Sequence, residues 1–260
     1  MSEVVLGERD GALMRLTINR PARRNALNEE VCGQLAAGLD QAESTAGVRV
    51  VVVTGAGDQV FCAGGDLKPG ADGTPFVINP AEPRHYVISL FRRMERCTLP
   101  IIARVNGHAL AGGLGLVCAC DMAIAADTAQ FGVPEVKLGL FPMMILSYMM
   151  RIIPRRKLFE ITTTGELFSA TEARAMDIVN YVVPAAELDA KLAWLIARIA
   201  DKSPTAIKLG KQAFRAIEDM PLDKAFEYTQ LMLPMMAMTA DAKEGFAAFN
   251  EKRAPQWPGS

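Results

Sequence analysis

The chain has 260 residues but only two histidines, two tryptophans and a net charge of −1. Two histidines leave little for a zinc site. The five cysteines (Cys32, Cys62, Cys97, Cys118, Cys120) stand among apolar neighbours without metal-ligand spacing. Cys118-Ala119-Cys120 is the one close pair, and it reads as core packing rather than ligation. No run of Lys or Arg forms a face for a polyanion, so nucleic acid is not an expected partner. The most hydrophobic stretch, residues 141–153, is too short to span a bilayer and is interrupted by Arg151. Residues 1–11 carry Glu3, Glu8 and Asp10 and lack the apolar centre of a secretory signal. The expectation is a soluble, cytoplasmic protein that binds neither metal nor membrane.

Half of the residues are hydrophobic, enough for a globular chain. The length suits one substantial core, or a large domain with a helical appendage. Leu13–Ile18, residues 48–54, Ile101–Val105 and Met122–Ala126 read as strands, rich in β-branched and apolar residues. Between the first two, Asn28 is placed to cap a helix in which Val31, Leu35 and Leu39 recur at helical spacing. This alternation predicts an α/β core with buried strands.

From Ala185 onward the pattern is helical. Leu188, Leu192, Leu195, Ile196 and Ile199 mark one apolar face, and Ser203-Pro204 reads as an N-cap followed by proline at the first helical position. Met220-Pro221 and Leu233-Pro234 are expected to break the remainder into shorter helices. Residues 231–238 hold Met232, Met235, Met236 and Met238, an adaptable apolar surface. Three uses are open for it: core, acyl pocket or subunit contact. Core is the first choice from composition alone.

Two glycine-rich turns carry the chemistry. The first is Phe61-Cys62-Ala63-Gly64-Gly65-Asp66-Leu67-Lys68, and the second is Asn106-Gly107-His108-Ala109-Leu110-Ala111-Gly112-Gly113. Each follows an apolar run of strand character, and residues 114–119 are apolar enough to begin a helix after the second. Glycine permits backbone conformations closed to other residues, and close approach of a ligand. Free N–H groups at such turns can face one carbonyl oxygen as an oxyanion hole. The plainer reading is that glycine after a strand merely makes a turn. A third block, Phe131-Gly132-Val133-Pro134-Glu135-Val136-Lys137-Leu138-Gly139-Leu140, sets a carboxylate in an apolar, turn-rich stretch. Glu135 is there either a helix-start acid or a proton-transfer group, and its apolar setting favours the second. Residues 70–83, with Gly70, Gly73, Pro75, Pro80 and Pro83, read as a loop that is either a lid over the site or ordinary surface.

In order and spacing these three blocks resemble the enoyl-CoA hydratase/isomerase (crotonase) superfamily. The likeness runs from Asn19-Arg20-Pro21 through Asn25-Ala26-Leu27-Asn28 to Glu251-Lys252-Arg253, nearly the whole chain. It implies an α/β fold: a crotonase-like core of stacked β-sheets and helices with ββα-type turns over residues 1–200, and a helical C-terminal oligomerisation segment over 201–260. By the same resemblance the backbone N–H groups of Gly65 and Gly112 are the oxyanion donors, and Glu135 is the catalytic carboxylate. Asp66 is expected to brace its turn. Arg24, Ala26, Leu27, Ala63, Lys68, Phe249 and Lys252 are implied as coenzyme A contacts.

The expected partners are an acyl-CoA substrate and further copies of the chain, as a trimer or dimer of trimers. No cofactor is implied beyond the coenzyme A of the substrate. Superfamily hydratases commonly carry a second glutamate, whose position here is Gly115, expected to leave space beside Glu135. A further acid found in some members has no counterpart in Phe141-Pro142-Met143-Met144-Ile145, where Met143, Met144 and Ile145 suit an acyl pocket or ordinary core. The resemblance implies hydration of a 2-enoyl-CoA first, double-bond isomerisation by Glu135 alone second, and acyl-CoA binding without turnover third.

Overall fold

The computed structural model describes residues 3–67 and 84–260. Lys68 and the segment 70–83, with the choice between lid and surface loop, lie outside the described residues.

The chain opens with β1 (Val5–Asp10) and β2 (Leu13–Ile18), an antiparallel hairpin. α1 (Glu29–Ser44) follows. The Asn28 side chain accepts the Val31 N–H at 2.9 Å, and Val31, Leu35 and Leu39 are buried, as their spacing predicted. Next come β3 (Val50–Gly55), β4 (Val60–Cys62), α2 (Tyr86–Arg96), β5 (Ile101–Val105), β6 (His108–Leu110) and α3 (Gly112–Ala119). β7 (Met122–Ala126) and β8 (Gln130–Gly132) lead into a short 3-10 turn, Pro134–Leu138. Then follow α4 (Met143–Ile152), α5 (Arg155–Thr164), β9 (Phe168–Ser169), α6 (Ala170–Ala175), β10 (Tyr181–Val183) and α7 (Leu188–Ala200). The chain ends in α8 (Pro204–Ile217), α9 (Leu222–Ala237) and α10 (Ala240–Glu251).

Among the described residues the strands form two sheets. One has six strands in the order β1-β2-β3-β5-β7-β10, parallel from β2 onward. The other is β4-β6-β8-β9, with only the β8–β9 pair antiparallel. Side chains alternate between the faces of a strand. In β3, Val51 and Val53 therefore join the main core with α1 and α2, whereas Val50 and Val52 meet Leu188, Leu192 and Leu195 of α7. Both faces of the large sheet are covered, which explains the near-continuous apolar run of β3.

The C-terminal helices attach to this body largely through charge. Lys211 reaches the Leu99 carbonyl and Asp121, and Arg215 reaches the Met94 carbonyl and Asp121. Ser203 caps α8 as its sequence predicts, its hydroxyl accepting the Ala206 N–H at 2.9 Å. Two expectations are corrected here. Pro234 does not end a helix but lies inside α9, whose last residue is Ala237. Proline removes one N–H donor, and the residue whose carbonyl would have accepted it, Gln230, is an exposed one. The methionine-rich stretch is not core of this chain, for Leu231, Leu233, Met235 and Met238 are all more than half exposed.

Candidate active site

The two glycine turns meet backbone to backbone. In the first, Leu27 N–H donates to the Gly64 carbonyl and Asp66 N–H to the Leu27 carbonyl, both at 2.7 Å, so Leu27 and Gly65 form a parallel bridge. Arg20 then donates to the Asp66 carboxylate at 2.9 Å and to the Ala26 carbonyl at 2.7 Å. Asp66 thus fastens its own turn to the Asn19-Arg20-Pro21 segment. Asn25 is buried there as a rivet, accepting from Arg20 N–H and donating to the carbonyls of Ala56 and Val60.

The second turn hangs from β8 by a 2.8 Å bond from Ala111 N–H to the Gly132 carbonyl. Ala111 adopts φ 50°, ψ −124°, a conformation that costs a residue with a side chain on the order of 1–3 kcal/mol. Gly64, at φ 101°, faces it. A Cβ there would lie 2.7 Å from Ala111 Cβ and 3.1 Å from Gly112 N, so only glycine allows this approach. A Cβ on Gly112 would in turn lie 3.5 Å from Gly65 N. Among the described residues no protein acceptor takes the N–H of Gly65 or of Gly112. Gly112 also opens α3, where the helix dipole favours negative charge.

Gly65, Gly112 and Glu135 line one cavity of about 360 Å³. Its wall is otherwise mostly apolar, with Leu138, Phe141, Met143, Met144 and Ile145 along one side. Glu135 sits in the first turn of the Pro134–Leu138 segment, half-buried. Its Oε2 is shielded from solvent and has no hydrogen-bond partner. Burial pushes its carboxyl pKa above the ordinary value, opposed only by a bond from its own backbone N–H. A carboxylate so placed can take and return a proton. Unpaired N–H groups at the same wall can hold an oxygen that gains charge.

Of the remaining residues singled out in the sequence, Leu27 and Ala63 also line the cavity. Arg24 and Ala26 lie in the loop before Leu27 and are not among the lining residues, and the Ala26 carbonyl is already taken by Arg20. Phe249, 82% exposed, and Lys252, the C-cap of α10, are not among the lining residues. Lys68 lies outside the described residues. Met143, Met144 and Ile145 all line the cavity. Gly115 leaves no free space: a Cβ there would lie 2.1 Å from Ile145 Cγ2 and 2.6 Å from Ile145 Cβ. Ile145 fills the volume in which a side chain at position 115 would start.

Sequence reasoning passed over His85 and Tyr86, which line the cavity from the start of α2. The available signal was the placement of one of only two histidines just ahead of an amphipathic segment. Among the described residues no group of His, Cys, Asp and Glu could hold a metal ion, and no helix is long and apolar enough to cross a membrane. The cysteines are unpaired, and burial pushes Cys32, Cys62 and Cys118 up to about 12, far from a reactive thiolate.

Solved structures share this architecture. The fold superposes on the enoyl-CoA hydratase of Bacillus anthracis with a TM-score of 0.89 at 31% identity, covering 99% of this chain and 100% of that one. The enoyl-CoA hydratase of Mycobacterium smegmatis gives 0.88 at 32% identity, over 98% of each chain. In sequence, the 2,3-dehydroadipyl-CoA hydratase of Escherichia coli is 32% identical over the full length of both chains. The enoyl-CoA hydratase EchA19 of Mycobacterium tuberculosis is 34% identical over 97% of this chain and 95% of its own. The family model described as enoyl-CoA hydratase/isomerase matches residues 8–260. The chain belongs to the enoyl-CoA hydratase/isomerase family of enzymes.

Proposed function

We propose that the protein adds water to a 2-enoyl-CoA thioester, with Glu135 as its single proton-transfer group. The observation that carries this reading is the meeting, at one cavity, of two unpaired backbone N–H groups and a buried carboxylate oxygen without a partner. The thioester oxygen sits between Gly65 N–H and Gly112 N–H. Water attacks Cβ as its proton passes to Glu135, and the π electrons move through Cα to the carbonyl oxygen. The enolate is held by the two donors, each of which contributes about 3 kcal/mol to lowering the barrier. Glu135 then returns the proton to Cα and the carbonyl re-forms, so both additions occur on the face of Glu135. Leu27 and Ala63 frame the thioester, with Arg24, Ala26 and Lys68 toward the nucleotide end of coenzyme A. Phe249 and Lys252 contact coenzyme A from the C-terminal segment of another copy in a trimer or dimer of trimers. No metal or redox group takes part.

A second reading is favoured by Ile145. With an apolar side chain beside Gly115, the described lining residues of the cavity include one carboxylate and no second anchor for water on that side. Glu135 alone can remove a proton from one carbon and return it two carbons away, which is double-bond isomerisation. Incubation with crotonyl-CoA and with a 3-enoyl-CoA separates the two, following the absorbance of the conjugated thioester. Hydration bleaches the first and isomerisation raises the second. No change with either substrate contradicts both readings.

A further inference from the structure

Ala111 holds a backbone conformation that its own side chain opposes. Among the described residues five other than glycine have positive φ: Arg24, Asn25, Ala111, Asp177 and Lys252. Arg24 and Lys252, at φ 50°, ψ 36° and φ 54°, ψ 39°, lie in the ordinary left-handed region at helix ends. Asn and Asp enter that region readily. Ala111, at φ 50°, ψ −124°, lies outside it, in the conformation of the first central residue of a type II′ turn. Glycine normally takes that position and would sit there without strain. We propose that the Ala111 methyl group is a wedge that fixes the gap between the two oxyanion donors, and that it lowers stability in doing so. The proposal rests on the acyl-CoA reading of the cavity.

Both peptides of Ala111 are tied. Its N–H donates to the Gly132 carbonyl on β8 at 2.8 Å, and its carbonyl accepts the Gly115 N–H of α3 at 3.2 Å. The Gly112 N–H belongs to the same peptide as the Ala111 carbonyl and points the opposite way. With that carbonyl turned into α3, the N–H is turned out of the helix, at the wall that Ala111 and Gly112 both line. The torsions of Ala111 are therefore dictated by how β8 and α3 meet, and they aim the Gly112 donor.

The other donor is set across the gap. The Gly65 N–H shares its peptide with the Gly64 carbonyl, which accepts Leu27 N–H at 2.7 Å. The Ala111 Cβ lies 2.7 Å from the point where a Cβ on Gly64 would be, so the methyl is within van der Waals reach of the Gly64 backbone. Removing it leaves two glycines face to face, Gly64 already at φ 101°, with no side chain to hold the turns apart. A displacement of about 1 Å in the groups that position a reacting centre is enough to slow a reaction on the order of a hundredfold.

The test is Ala111→Gly, with melting temperature and turnover read on the same preparation. Relief of the strained backbone should raise the melting temperature by about 2–4 °C. Turnover is measured with whichever of crotonyl-CoA and the 3-enoyl-CoA the wild type accepts. Here kcat should fall by about tenfold or more, while KM changes by less than about twofold. Ala111→Ser retains the Cβ and should restore both kcat and melting temperature toward the wild type. The wedge also has a spectroscopic reading. In a Glu135→Gln background the infrared carbonyl stretch of bound crotonyl-CoA is lowered by the two donors, and adding Ala111→Gly should return it toward that of the free thioester. An unchanged kcat or an unchanged carbonyl stretch in Ala111→Gly would overturn the proposal, because the strain would then serve no donor. A lower melting temperature would overturn it too, since the methyl would be ordinary packing. Each of these results leaves the proposed function standing. No turnover of either ester by the wild type, with no carbonyl shift on binding, takes that reading down as well.

Discussion

Ile145 Cγ2 stands 2.1 Å from the point where a Cβ on Gly115 would lie. The two residues, on α4 and α3, therefore share one volume, and neither can be changed alone without consequence. The absence of a second carboxylate at Gly115 is not a gap in the site but an interlock.

Gly115→Ala is accordingly expected to destabilise the protein by about 1–3 kcal/mol, the usual cost of overpacking. In an Ile145→Gly background the same change should cost far less. Denaturant midpoints for the four proteins of this cycle give the coupling directly. Gly115→Glu alone should lose stability and gain no hydration, since its first carbon already collides with α4.

Glu135 has a second measurable consequence. Its carboxyl is held above the ordinary pKa by burial, so the folded state binds its proton more tightly than the unfolded state does. Stability is then full below the unfolded carboxyl pKa and falls as pH rises through the raised folded value. Glu135→Gln should melt higher than the wild type at pH 7. The difference should vanish in acid, below the ordinary carboxylate range. Equal melting temperatures across that range would show that the carboxylate is not strained by burial.

The C-terminal helices are pinned at Asp241, which is 1% exposed. It accepts from Ser203 Oγ at 2.5 Å, Thr205 N–H at 3.1 Å and Gly259 N–H at 2.7 Å. Asp241→Ala leaves three donors unpaired, with an expected loss on the order of 3 kcal/mol. Thermal melting checks it, and a change under 0.5 kcal/mol, roughly that of a surface substitution, would contradict the pinning role.

The exposed apolar side chains of α9 are the observation behind the proposed self-association. Leu231, Met235 and Met238 recur at i, i+4 and i+7, one face of a helix, and each is more than half exposed, as interface residues of a free protomer would be. Leu231→Glu with Met235→Glu should shift sedimentation toward the monomer. A wild-type chain that already sediments as a monomer at micromolar concentration would remove the oligomer from the account.

Legibility in the sequence followed length and periodicity. β2, β5 and β7 have the bounds their apolar runs indicated, and β3 differs by only a residue or two at its ends. Each is five or six residues long and buried, which is what β-branched runs report. β4, β6 and β8 have only three residues each, too few to show alternation, so they read as parts of the turn blocks, and the two residues of β9 gave no signal at all. β1 is mostly exposed and charged at its end, which hid it. The glycine turns were legible as motifs, but their contact through Gly64 and Ala111 depends on strand order that no local pattern encodes. Ile145 against Gly115 was invisible for the same reason. His85 was missed because α2 follows the loop-like 70–83 stretch, and a single histidine there has no periodicity to mark it.

The most direct test of the central claim is the turnover of crotonyl-CoA by Glu135→Gln, which keeps the shape of the side chain and removes its titratable group. The expected result is a fall in kcat of about 10²–10⁴, the contribution of a positioned acid or base. Acyl-CoA binding should be retained, because the Gly65 and Gly112 N–H groups are untouched. A fully active Glu135→Gln enzyme would contradict the account, since another group would then be moving the proton.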